Sequence, residues 1–339
     1  MRIYYIGQLW SGGTCGERMR TLRTMGHDVF PFDTSPWTIG GFPVARSLEH
    51  RFNVGPSIWG LNRTLAKHAL DVGPVDLVWV DKGRWLYPHT LEAVRSRLDA
   101  RTLHYSPDAQ LVLNQSRHFE ACLPLYDYIV TTKPFELALY ESRGARCVQL
   151  VLQGFDPRFA SYSAASSDAT AWSSSLCFIG HCERYYTTQA KALADADLPL
   201  RVWGSGWPEF ARRNPWAAGN VAGDGAWAED YLRALAHARI GLGLLSKLIP
   251  ETTTTRSFEI PAMGTFLLAE RTDEHASLFE EGKEAEFFAD SQELVDKARF
   301  YLANNVARDR IAIAGKDRCL RSGYSSREQL ARVLAMVSQ

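Results

Sequence analysis

The chain has 339 residues with 38 basic and 38 acidic side chains, a length that fits two domains of roughly 150 residues each and a charge balance unlike that of a nucleic-acid binder, which carries a basic excess. Its six cysteines, Cys15, Cys122, Cys147, Cys177, Cys182 and Cys319, form no C-x-x-C pair, and Met1-Arg2-Ile3 leads straight into a strand-like run. No apolar stretch approaches the ~18 residues of a membrane span, so free thiols in a reducing cytoplasm are expected, with peripheral contact at the inner face of a membrane left open.

Arg2 to Gly7 reads as an apolar strand, followed by Gln8-Leu9-Trp10-Ser11-Gly12-Gly13-Thr14-Cys15-Gly16 and a helical run to Gly26. Strand, glycine loop and helix open a Rossmann-like unit. The loop is not G-x-G-x-x-G and no acidic residue is placed to hold an adenosine ribose, which argues against a dinucleotide site. Asp28 to Phe32 is a second strand, and Pro31 to Pro56 a Gly/Pro/aromatic loop region. Val75 to Val80 has the continuous apolar character of a parallel strand buried on both faces. It exits into Asp81-Lys82-Gly83 and a helix over about 88–98. Arg101 to Tyr105, Tyr128 to Thr131 and Cys147 to Leu152 are further strands, with a helix running through Tyr140. Such alternation gives an open parallel sheet whose ligands lie beyond the strand carboxyl ends, where Gly12, Gly13, Lys82, Asp108 and Lys133 fall.

Ser161 to Ser175 is small, polar and aperiodic, the expected linker. The alternation then restarts with Leu176 to Gly180, Leu200 to Gly204, Asn220 to Ala222, a helix over 228–238, Ile240 to Leu245 and Glu286 to Phe288. Three amphipathic helices over about 291–304, 307–320 and 325–337 close the chain. The expected architecture is α/β: two doubly wound domains, 1–160 and 176–320, joined by 161–175 and facing each other across a cleft, with 321–339 returning toward the first.

The stretch Glu251 to Arg271 carries the sharpest chemistry. Glu251 and Glu259 are separated by seven residues that hold four threonines and Arg256, and a helix start, Gly264 and the strand-like run Thr265 to Ala269 follow. A helix N-terminus offers unpaired N–H groups and partial positive charge, so Thr254-Thr255-Arg256 suits a phosphate. The two carboxylates would then flank the anion and take sugar hydroxyls. Pro261 makes that helix short or bent. Other strand ends add candidates on the donor side. Gly180-His181 leads to Arg184, whose guanidinium suits a diphosphate leaving group. Trp203-Gly204-Ser205-Gly206-Trp207 could pack a flat base, Val221 lies at the next strand, and Lys247 is a second cation for phosphate. Ordinary core packing would equally account for the tryptophans. Asp195-Ala-Asp197 superficially matches a metal-binding D-x-D but ends a helix, which places it in solvent. No cluster has metal-ligand spacing, and neither a nucleophile elbow nor a P-loop lysine occurs.

At these residues the chain resembles the CgeB-like, spore-maturation type glycosyltransferases, relatives of the retaining family 4 of GT-B enzymes. The likeness lies in Thr254 to Gly264, Leu278 to Glu284 and the tail through Gly315, with similar pieces at Asp76 to Gly83 and Gly154 to Pro157. It implies two Rossmann-like domains, a nucleotide-sugar donor held mainly by the second, and an acceptor met mainly by the first. On that resemblance Glu251 falls at the donor sugar hydroxyls, Glu259 at the ribose hydroxyls and Arg184 at the phosphates. Thr252 to Thr255 departs from the Gly/Phe-containing segment usual in the wider family.

The reading is therefore a metal-independent, retaining transferase of a hexosyl group from a nucleoside-diphosphate sugar such as a UDP-sugar. Glu251, Arg184 and Asp108 are its catalytic candidates. Gly180, His181, Arg184, Trp203, Gly204, Trp207, Val221, Lys247, Thr254, Thr255, Arg256 and Glu259 are on the donor side, and Gly12, Gly13, His104 and Asp108 on the acceptor side. No cofactor beyond the donor is expected, and the acceptor class (glycan, lipid-linked, protein or small molecule) stays open. His104 or Asp108 could serve as a base, which leaves inversion open. The rival readings are a GT-B-like nucleotide-sugar epimerase and a two-domain sugar-binding protein without catalysis.

Overall fold

The computed structural model describes residues 1–10, 12–38 and 43–338, with the side chains at 43–46 and 50 excepted. Ser11, in the glycine loop, and 39–42, in the expected 31–56 loop, lie outside the described residues. The chain forms two units, Met1–Leu152 with Arg327–Gln339, and Gln153–Ser326.

The first unit is a six-stranded sheet in the order β2-β1-β3-β4-β5-β6, built from β1 (Arg2–Gly7), β2 (Asp28–Asp33), β3 (Leu77–Asp81), β4 (Arg101–Ser106), β5 (Tyr128–Thr131) and β6 (Val148–Leu150). Every pairing is parallel. β3 is buried along its whole length, which is why its sequence is a continuous apolar run. One face packs Leu61, Leu65 and Ala69 against Tyr4, Val78 and Val80. The other packs Ile3, Tyr5 and Trp79 against Leu330, Val333, Leu334 and Val337 of the last helix, Ser326–Val337. That helix belongs to the first unit because its apolar stripe completes this core.

The second sheet runs β12-β11-β10-β7-β8-β9. Its strands are β7 (Ser174–Ile179), β8 (Leu200–Trp203), β9 (Val221–Gly223), β10 (Ala238–Gly243), β11 (Phe266–Glu270) and β12 (Glu286–Phe288), again all parallel. In each sheet the strand order reverses beside the first strand, between β1 and β3 and between β7 and β10. Those reversals are the switch points where open α/β sheets bind ligands.

Two expectations are corrected. The 31–56 region is largely helical where described, at Ser35–Thr38 and Pro43–Phe52, and a 17-residue helix, Pro56–Val72, follows it. Scattered Gly and Pro hid this, although Pro43 and Pro56 stand at helix starts, where a missing N–H costs nothing. The division between units falls at 152/153, not in 161–175. That segment holds a 3₁₀ turn, Ser166–Asp168, a helical turn, Ala169–Trp172, and the start of β7, and Arg201 anchors it by donating 2.7 Å to the Ala171 carbonyl.

Candidate functional site

In the second unit the switch point is spanned by Arg256, the first residue of helix Arg256–Met263. Its Nη1 donates to the Ile179 carbonyl ending β7 (3.1 Å) and its Nη2 to the Leu244 carbonyl just past β10 (2.9 Å). The guanidinium lies over the Phe178 ring at 5.2 Å, and its buried Nε has no hydrogen-bond partner. No carboxylate forms an ion pair with it among the described residues. The helix runs through Pro261 and stops at Gly264, whose φ of +89° is the left-handed conformation that ends helices. The expected short helix and glycine stop are both present.

Four carboxylates lie at the ends of the same strands or on the segments that follow them. Glu259, one turn into the helix and buried, accepts 2.6 Å from the Tyr231 hydroxyl. Burial, then the neighbouring Glu259 charge, pushes the Tyr231 phenol far up, so it stays a donor. Glu251, half-buried, accepts 3.2 Å from the Ser246 backbone N–H. Glu183 accepts from the Ser246 hydroxyl (2.7 Å) and the Lys247 N–H (3.1 Å) and faces His181 Nε2 at 3.4 Å. Glu270, at the end of β11, accepts from the Leu245 N–H at 2.5 Å and pairs with Lys247. Lys247 in turn lies 4.6 Å from the Tyr185 ring centre.

Lys247, Glu251, Arg256 and Glu259 all lie beyond the end of β10 or on the helix that follows it. Glu183, Glu270, Tyr185 and Tyr231 were not singled out from the sequence. Strand-end position was their only signal, since Glu183 follows β7 and Glu270 ends β11. Arg184 is exposed at the first position of helix Arg184–Asp195, with no ion pair among the described residues. His181 is exposed as well.

The threonine run is held rather than loose. Thr252 Oγ1 hydrogen-bonds Glu274, and its carbonyl accepts 2.9 Å from Thr272. The Thr254 N–H donates 3.1 Å to Ser257 Oγ, which meets His275 Nε2 at 2.7 Å. Burial lowers the His275 pKa to about 4, so the ring is neutral near neutrality. Thr254 Oγ1 is buried without a partner, and Thr255 is half-buried at the helix start.

Two donor-side tryptophans are corrected. Trp203 and Trp207 are buried in the core, and Trp207 Nε1 donates 2.9 Å to the Gly180 carbonyl. Neither ring offers a free face to a base; both shape the β7 exit. Gly204 is required there, because at φ +155° a Cβ would come within 1.9 Å of the Gly180 oxygen. Val221, the first residue of β9, packs against the same core. Among the described residues no group of three His, Cys, Asp or Glu is placed to hold a metal, and Asp195 takes a helix-surface pair with Lys191 at 2.7 Å.

At the first unit's switch point, Arg18 forms a buried two-pronged pair with Asp81 (Nε 2.7 Å, Nη2 2.9 Å), to which the Tyr5 hydroxyl donates at 2.6 Å. Gly12 has φ +90°, and Gly13 precedes helix Thr14–Thr24 with its N–H on the Trp10 carbonyl. Asp108 pairs with Lys82 at 2.7 Å. Burial works against its ionisation, but Lys82 and Lys133 hold its carboxyl below the usual range. Beside them opens a cavity of about 170 Å³. His104 is corrected as a base. It is fully buried against Phe119 and Tyr126, meets the Lys82 carbonyl through Nε2 (3.1 Å), and burial lowers its pKa to about 4.

Residues 186–335 match the model of a family described as glycosyl transferase-like. A search of curated proteins finds no match. Among solved structures, HepE from Anabaena in complex with UDP-glucose is 13% identical with a TM-score of 0.66, over 99% of this chain and 100% of that one. Sucrose-phosphate synthase from Thermosynechococcus elongatus is 13% identical with a TM-score of 0.67, over 99% of each chain. A glycosyltransferase from Rickettsia africae is 13% identical with a TM-score of 0.67, over 99% of this chain and 97% of that one. These likenesses show the fold: the two six-stranded parallel sheets with flanking helices are those of GT-B glycosyltransferases.

Proposed function

We propose that the chain is a glycosyltransferase that takes a hexosyl group from a UDP-sugar and transfers it to an acceptor hydroxyl with retention and without a metal. The observation that carries this reading is the array at the β7, β10 and β11 ends, where carboxylates suited to hydroxyl donors share the strand ends with an arginine that forms no ion pair among the described residues. The glycosyl transferase-like family match over residues 186–335 and the UDP-glucose held by HepE support it.

In this reading Glu259 takes the ribose hydroxyls and Glu251 those of the sugar, and Arg184, Arg256, Lys247 and the helix N–H groups face the diphosphate. As the glycosidic bond breaks, negative charge grows on the departing UDP. Fixed cations and N–H dipoles stabilise it without reorganising, which is where most of the acceleration arises. The acceptor proton can leave with the departing phosphate oxygen, so retention needs no side-chain base. The first unit takes the acceptor, with Asp108 beside its hydroxyl. The six unpaired thiols suit a reducing compartment, and we assign the protein to the cytoplasm.

Glu251→Ala should lower kcat by about 100-fold or more, measured as UDP released from UDP-glucose in the presence of acceptor, with an unchanged melting temperature. Near-normal turnover would remove Glu251 from the mechanism. An altered free sugar without acceptor would identify an epimerase instead.

A further inference from the structure

We infer that the cavity of the first unit takes a small hydroxylated acid with a ring-sized apolar body, and that Arg84 selects its carboxylate. This names the acceptor class of the proposed transferase and so rests on that reading. The cavity, about 170 Å³, is close in size to an engineered apolar cavity of ~150 Å³ that holds one benzene. Most of its wall is hydrocarbon, from Leu61 and Leu65 of helix Pro56–Val72, Val80 of β3 and the neighbouring Leu86. Gln8, Thr34, Thr38, Gln110 and Asn114 add neutral hydrogen-bonding groups to the lining, so a ring with an apolar body and a few polar substituents meets both kinds of wall.

The polar lining is uneven in charge. Asp81 is neutralised by Arg18 beneath it, and Lys82 by Asp108. Arg84 has no ion pair among the described residues, and its buried Nε has no hydrogen-bond partner. Its planar face is occupied by Trp85, 5.5 Å from the ring centre. The cavity therefore carries one uncompensated positive charge beside an apolar slot. An anion there relieves a guanidinium already partly stripped of water, and a planar carboxylate matches its fork. Asp108 lies on the same lining, where it can accept the hydrogen bond of the hydroxyl to be glycosylated.

The test titrates the whole protein with 4-hydroxybenzoate, the neutral isostere 4-hydroxybenzamide and methyl glucoside, by calorimetry without nucleotide. The acid should bind about tenfold or more tightly than either neutral compound, the scale of one charge-assisted contact. Arg84→Gln should erase that difference and Arg84→Lys should keep part of it, with melting temperatures near that of the unmodified protein. Equal affinity for acid and amide, no binding of the acid, or an acid affinity unmoved in Arg84→Gln would each overturn the inference. Adding UDP-glucose separates the two levels. Arg84-dependent binding with no UDP release onto any acceptor leaves the pocket standing and sinks the transferase reading. UDP release onto other acceptors while the acid fails to bind does the reverse.

Discussion

Arg18 and Arg256 occupy matching places, each at the switch point of a parallel sheet and each on a helix that follows a strand of that sheet. Arg18 meets a carboxylate with both prongs, and Tyr5 completes the shell of Asp81. Arg256 meets only two carbonyl oxygens, which satisfy hydrogens without cancelling charge. A buried ion pair contributes to the architecture and exerts little field beyond itself. An arginine held by carbonyls keeps its charge at a strand end, where an anionic ligand gains from it. On the proposed reading, one geometry serves structure in the first unit and ligand charge in the second.

The largest expected effect breaks that contrast directly. Arg18→Met leaves Asp81 buried and unpaired and should cost about 3–5 kcal/mol of stability in denaturant unfolding, with UDP affinity intact in the folded fraction. Arg256→Met should do the opposite, weakening UDP binding about 10- to 100-fold in calorimetry, the worth of one charged contact, with a smaller loss of stability. Matching outcomes for the two variants would abolish the distinction.

Acid sensitivity sharpens the comparison, because among the described residues each unit buries one neutral histidine. His104 and His275 both titrate near 4 when folded against about 6.5 when unfolded. The unfolded chain takes up protons first as pH falls, so stability is complete above about 6.5 and is lost between about 6.5 and 4. Each ring accounts for about 3 kcal/mol, at roughly 1.4 kcal/mol per pH unit. His104→Gln and His275→Gln should each flatten the fall of melting temperature over that range by a similar amount. An unchanged slope would show that the substituted ring is protonated in the folded protein.

The smallest effect concerns the two tyrosines. Tyr5 donates to Asp81 and Tyr231 to Glu259, so Tyr5→Phe and Tyr231→Phe should each cost about 1–3 kcal/mol in urea unfolding. Only Tyr231→Phe should also raise KM for a UDP-sugar, since Glu259 alone of the two carboxylates is assigned to a ligand. A raised KM in Tyr5→Phe would place Asp81 at the donor as well.

Parallel strands announce themselves locally, so the run at 75–80, the alternation of both halves and the Glu251 to Gly264 segment with its glycine stop were legible residue by residue. Helix Pro56–Val72 was not, because its apolar stripe follows a glycine- and proline-rich stretch that masks the period. The same limit governs the site. Seven-residue spacing put Glu251 and Glu259 on one segment, but Tyr231, Glu183 and Glu270 reach it from separate strands, and no local pattern records which strand ends become neighbours. Burial is likewise a property of the packed whole: it turned Trp203, Trp207 and His104 from candidate ligand contacts into core, and it left Arg84 and Arg256 half-buried with no ion pair among the described residues. The sequence by itself determined the α/β alternation and the chemistry carried by each segment; the tertiary structure alone decided which charges meet, because neutralisation depends on distances of a few ångströms between residues far apart in the chain.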